Sequence, residues 1–132
     1  MTTLERLREH LAENDIAAIL ISNMPSIRWL CGFTGSFAQA IVTQDSGIFL
    51  TDSRYTIQAG EQCRNLTVRS FASPKKAEQF LAEQVSELGL KQLAFDRNHV
   101  TVGTFDKWSD LLAGVELVAV DDPVDCLRMV KS

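Results

Sequence analysis

Residues 16–21, IAAILI, form an unbroken apolar run closed by Ser22-Asn23. A short run without alternation suits a strand buried on both faces, and such a strand requires helices on both sides of its sheet. Directly before it, Leu4, Leu7 and Leu11, with Ala12 beside them, recur at helical spacing among charged residues. Thr2 or Thr3 is placed to cap this helix and Asn14-Asp15 to stop it. An amphipathic helix leading into a doubly covered strand is the opening of an α/β domain.

Downstream, Pro25 occupies a first helical turn, and a short helix over 26–31 turns Ile27, Leu30 and Cys31 inward. Gly32-Phe-Thr-Gly35-Ser breaks it. Residues 37–43 (FAQAIVT) and 48–51 (IFLT) flank Asp45-Ser46-Gly47 and read as a hairpin. Asp52-Ser-Arg-Tyr55 leads into a helix over 56–63 with Ile57, Ala59 and Cys63 on its apolar side. Residues 66–71 form a strand whose alternating sets, Leu66, Val68, Ser70 and Thr67, Arg69, Phe71, leave its apolar face open.

Ser73-Pro74 reads as cap and first residue of a long helix striped by Phe80, Leu81, Val85 and Leu88 and ended by Gly89. A strand over 93–95, a helix over 101–113 and a strand over 115–120 follow; Val102, Phe105, Trp108, Leu111 and Leu112 share one side of that helix, which Gly114 closes. Asp122-Pro123 repeats the cap-plus-proline signal, with Val124, Leu127 and Val130 apolar, and the sequence stops in this helix's third turn. The expected organisation is one domain over 1–121, then 122–132 as the start of a linker helix into a further domain.

The chain has 132 residues, 45% hydrophobic and 23% charged, which predicts one folded unit rather than disorder. Its net charge of −4 builds in no general attraction to nucleic acid or anionic membranes. No apolar stretch approaches the roughly 20 residues of a spanning helix, and the N-terminus MTTLERLREHL has no signal-peptide character. Three widely spaced cysteines, Cys31, Cys63 and Cys126, without a CxxC pair fit a reducing, cytoplasmic compartment.

His10 and His99 stand without a third ligand at metal spacing, and read as surface histidines. Cys31 and Cys63 read as small buried hydrophobes. Gly32-Phe-Thr-Gly35-Ser lacks the GK[ST] ending of a phosphate loop and precedes a strand; it reads as a turn needing positive φ, with Phe33 pointing into a groove. In Asp52-Ser-Arg-Tyr55 the aspartate suits an N-cap. Arg54, beside an aromatic ring and with only Asp52 and Glu61 as local acidic neighbours, is suited to clamp a carboxylate and equally to a structural place at the surface.

SIRWLCGFTGS at 26–36 and LTDSRYTIQA at 50–59 together resemble the amino-terminal domain of the creatinase, prolidase and aminopeptidase P family of Xaa-Pro peptidases. The similarity extends to the opening helix, the first strand and the closing Leu127-Arg-x-x-Lys131-Ser132. This sequence departs from the commonest pattern at Trp29, Cys31 and Ser53, where tyrosine, a hydroxyl residue and glycine are frequent.

The resemblance implies a three-layer α/β/α domain with a mixed sheet of ribonuclease H-like motif. It implies a non-catalytic role, with chemistry downstream in a C-terminal domain where two divalent metals, often manganese, are held by two Asp, a His and two Glu; no cofactor is expected in this segment. The implied partners are that catalytic domain, a second copy in a homodimer and, for the whole protein, a peptide, but neither nucleic acid nor membrane. Phe33, Arg54 and Tyr55 are the positions that the resemblance places near substrate or at an interface. Two other readings compete: a nuclease on the ribonuclease H-like fold using Asp52 and Asp96, and a stand-alone carboxylate-binding module built on Arg54.

Overall fold

The computed structural model describes residues 2–128. The expected Val130 and Lys131-Ser132 contributions lie outside the described residues. In chain order the elements are α1 (Thr3–Glu13), β1 (Ala18–Ile21), α2 (Met24–Cys31), β2 (Gln39–Thr43), β3 (Gly47–Asp52), a 3-10 turn (Ser53–Tyr55), α3 (Thr56–Gln62), β4 (Thr67–Phe71), α4 (Ala77–Glu87), β5 (Gln92–Asp96), α5 (Val102–Leu111), β6 (Glu116–Val120) and α6 (Pro123–Arg128).

Six strands form one mixed sheet in the order β4-β3-β2-β1-β5-β6. β2 runs antiparallel to both β1 and β3, while β1 with β5, β5 with β6 and β3 with β4 are parallel. The expected ribonuclease H-like arrangement is present, extended at one edge by β4. The 16–21 run explains the layering. Ile19 and Ile21 face a core with Leu4, Leu7 and Leu11 of α1, Ile27 of α2, Ala59 of α3 and Val124 of α6. Ala18 and Leu20 face the opposite core with Phe80, Leu81 and Val85 of α4 and Trp108 of α5. Each buried leucine of α1 contributes roughly 1.5–3 kcal/mol by burial, which is why its 3-4 spacing holds that helix on the sheet. The expected α/β/α class therefore follows from a strand apolar at every position.

Thr2 caps α1 as the sequence predicts, and Asn23 and Thr101 cap α2 and α5; each accepts a backbone N–H of the first turn. The start of α4 departs from the sequence reading. The Ser73–Pro74 peptide is cis and Lys75 N–H donates to Ala72 O (3.1 Å), closing a turn. The helix begins after it, with Gln79 Oε1 accepting the Lys76 N–H (3.2 Å).

Three residues assigned to apolar helix faces are exposed, Ile57 at 80%, Val102 at 78% and Leu111 at 44%. Ala59 and Cys63 are four residues apart and point inward together, so Ile57, two residues before Ala59, lies across the helix from them. Val102 sits about a third of a turn away from the direction of Trp108. β4 resolves its ambiguity by using both faces, Val68 packing against the α1 side and Phe71 against the α4 side.

Candidate functional site

The two sequence blocks that carry the resemblance meet at one end of the β2–β3 hairpin. Gln39 pairs with Leu50, so the loop entering β2 lies beside the turn leaving β3. Thr51 Oγ1 donates to Phe37 O (2.7 Å) and fixes that adjacency. Gly32 closes α2 in the left-handed conformation, φ +78°, as the turn reading requires.

Phe33 then enters the core instead of a groove. It is fully buried, and its ring packs edge-on against Phe49 (centroids 4.9 Å) and Tyr55 (5.6 Å). The correction is physical: a phenyl ring beside the sheet gains more from burial than from lining an open surface. Gly35 is needed for space, since a Cβ there would stand 2.3 Å from Phe33 Cζ and 3.0 Å from Tyr55 Cδ1. The chain therefore lies flat across both rings. The Ser36 and Tyr55 hydroxyls share a hydrogen bond at 2.6 Å, and that bond holds the phenol below its ordinary pKa. On the other side of the loop, Thr34 N–H donates to Gln62 Oε1 (3.2 Å) and Gln58 Nε2 donates to Thr34 Oγ1 (3.1 Å).

Asp52 caps the 3-10 turn, accepting the Arg54 N–H, and takes a forked pair from the same residue's guanidinium: Nε to Oδ1 and Nη2 to Oδ2, both 2.9 Å. These hydrogen bonds hold the Asp52 carboxyl below, and the Arg54 guanidinium above, their usual ranges. Ser53 needs no positive φ here; among the described residues Asp15 is the one non-glycine that adopts it.

The Arg54 guanidinium lies 5.2 Å from the Tyr55 ring centroid, with its side chain 71% exposed. Of its five donors two are engaged by Asp52, so its outer edge is free to receive a second carboxylate. The site is an exposed, pre-oriented cation on a rigid aromatic base.

The other candidates do not join it. Asp52 and Asp96 end β3 and β5, three strand spacings or roughly 14 Å apart, too far to share a metal ion. Asp96 and Asp122 are bridged by Asn23 Nδ2 (3.3 and 2.8 Å), and Asp122 also accepts from Ser26 Oγ (2.5 Å) and Val124 N–H (2.9 Å). These carboxylates tie strand ends to α2 and α6. His99 lines a cavity of about 440 Å³ with Ser22, Ser36 and Thr104, and His10 lies on α1 apart from it. No group of three His, Cys, Asp or Glu residues fit to hold a metal occurs among the described residues. Sequence reasoning missed the Ser36–Tyr55 pair, the Gln58–Gln62 clamp and the Asn23–Asp122 bridge, because each joins polar residues far apart in the chain. The cap-plus-proline signal at Asp122 was its one visible trace.

The creatinase/prolidase N-terminal domain family matches residues 3–130. An uncharacterized peptidase of Bacillus subtilis, YqhT, is 35% identical over 129 residues, covering 98% of this chain but 36% of its own length. Among solved structures, the Xaa-Pro dipeptidase from Bacillus anthracis superposes with a TM-score of 0.88 at 28% identity, covering 98% of this chain and 36% of that one. The N-terminal domain of the cytoplasmic peptidase PepQ from Mycobacterium tuberculosis superposes with a TM-score of 0.84 at 31% identity, covering 96% of this chain and 98% of that one.

Proposed function

The chain belongs to the creatinase/prolidase N-terminal domain family, and from that premise we propose that it is the non-catalytic domain of a cytoplasmic Xaa-Pro metallopeptidase, docking beside an active site supplied by a C-terminal domain. The chain spans about a third of the relative's length, 36%, which leaves room for such a domain in the whole protein. In this reading two divalent metal ions, manganese foremost, are held by that domain and activate the attacking water. The described residues offer them no ligand set: the buried carboxylates Asp96 and Asp122 already accept donors from Asn23, Ser26 and backbone N–H groups. The observation that carries the proposal is the free outer edge of Arg54, held by Asp52 on one side and the Tyr55 ring beneath.

Arg54 then borders the active site, of its own or a partner subunit, and receives a substrate carboxylate, with Tyr55 and the buried Phe33 as its support. In the full-length protein, Arg54→Ala is expected to lower kcat/KM on an Xaa-Pro peptide by about tenfold or more, chiefly through KM, as loss of a charge-assisted hydrogen bond requires. Sedimentation velocity on the same variant separates the alternative. Ile57, 80% exposed on the adjoining α3, favours an interface role in a homodimer. If Arg54→Ala dissociates the assembly and leaves KM unchanged per active site, the substrate role is wrong.

A further inference from the structure

We propose that Cys31 and Cys63 are a redox modification site, a dithiol that closes reversibly to a disulfide on reaction with a hydroperoxide. The two residues are 32 positions apart, yet their sulfurs lie 2.9 Å from each other. A disulfide has its sulfurs about 2.05 Å apart, so the bond forms with a displacement of under roughly 1 Å. Cys31 is the last residue of α2 and Cys63 caps the C-terminus of α3, which places both at helix ends whose side chains adjust without unwinding a turn.

The pair is asymmetric in access. Cys31 is partly exposed and lines a surface groove of about 610 Å³, while Cys63 is 1% exposed behind it. Arg28, Glu61 and Arg64 line the same groove, which leaves the Cys31 side of the pair open to a small oxidant. The hydrogen bond between the sulfurs, with a further one from the Phe33 backbone, draws the Cys31 thiol below its ordinary pKa, while the bond to Cys31 and burial push Cys63 up. Cys31 is therefore the attacking sulfur and Cys63 the resolving one.

The chemistry balances in two steps. The Cys31 thiolate attacks one peroxide oxygen, the O–O bond breaks, and hydroxide leaves as Cys31 becomes a sulfenic acid. The Cys63 sulfur then attacks the Cys31 sulfur, the S–O bond breaks, and the departing hydroxide takes the Cys63 proton as water. Two thiols have supplied two electrons, and the peroxide has become water; a dithiol reductant restores the pair. The closed ring encloses residues 31–63, and with them the 32–36 loop, the hairpin and Arg54. Oxidation thus fastens the ends of the two helices that flank the candidate site.

Treatment of the purified chain with stoichiometric hydrogen peroxide, alkylation and tryptic mapping tests this. Cleavage after Arg28, Arg54 and Arg64 puts Cys31 in peptide 29–54, Cys63 in 55–64 and Cys126 in 108–128. The expected product joins 29–54 to 55–64, reverts with dithiothreitol and raises Tm by about 5–10 °C. In Cys63→Ser, Cys31 is expected to stop at a sulfenic acid that dimedone labels. Sulfinic acid on Cys31 with Cys63 still alkylatable in the unsubstituted chain, a bridge to peptide 108–128, or no reaction would each overturn the proposal.

Discussion

At Gly35 the constraint is volume, not backbone freedom. Its φ is not positive, but Phe33 is fully buried against Phe49 and Tyr55, so the ring that a new methyl would strike at 2.3 Å has nowhere to go. Gly35→Ala is expected to cost about 1–3 kcal/mol, by the usual penalty for overpacking, and urea unfolding would register it as a lower midpoint with an unchanged slope. Gly60, inside α3 with nothing within 4 Å of a built Cβ, is the control. Gly60→Ala is expected to stabilise by about 0.5–1 kcal/mol. Equal effects at the two positions would show that the ring contact does not hold the loop. Gly32 was legible as a left-handed turn because its requirement is local. The inward course of Phe33 was not, since a loop has no period from which direction can be read.

At the scale of elements, strands and helices were legible wherever an apolar period or a side-chain cap marked them. α1 shows both, with Leu4, Leu7 and Leu11 buried and Thr2 capping. α4 misled because Ser73-Pro74 satisfies a helix-start rule and a turn rule equally, and the Ala72–Lys75 turn won. Ile57 misled because α3 has seven residues, too few for a stripe to declare itself. Asn23 shows how one cap serves three elements: its Oδ1 accepts the Ser26 N–H of α2, while its Nδ2 bridges Asp96 at the end of β5 and Asp122 before α6. Asn23→Ala is expected to destabilise by about 2–3 kcal/mol, a lost cap plus lost donors to buried carboxylates. Asn23→Asp keeps the cap but sets a third carboxylate against two, so it is expected to be the worse variant at pH 7. It should recover relative to Asn23→Ala as acidification removes that repulsion, a crossing that denaturation midpoints at several pH values would reveal. Parallel profiles for the two variants would refute the bridging role.

For the whole molecule, the point at issue is where the domain ends. The sequence reading stopped it at residue 121, after the last strand, and took 122–132 as the start of a linker helix. In the structure Val124 is fully buried in the core beneath α1 and α2, and Asp122 accepts hydrogen bonds from Asn23 and Ser26 of the α2 region. The first turn of α6 therefore closes the α1 layer, and a boundary at 121 would cut through packed and hydrogen-bonded groups. Burial of one valine and the donors left unpaired by loss of Asp122 sum to about 3–5 kcal/mol, a large part of the 5–15 kcal/mol typical of a domain. A chain shortened to residues 1–121 is accordingly expected to unfold at a markedly lower urea concentration than the full 132 residues, with Asn23→Ala adding little further loss because its partner Asp122 is already gone. Identical midpoints for the long and short chains would place the boundary where the sequence put it and make α6 a passive connector. A lowered midpoint makes the first turn of α6 part of the folded unit, held to α2 through Asp122, Asn23 and Ser26.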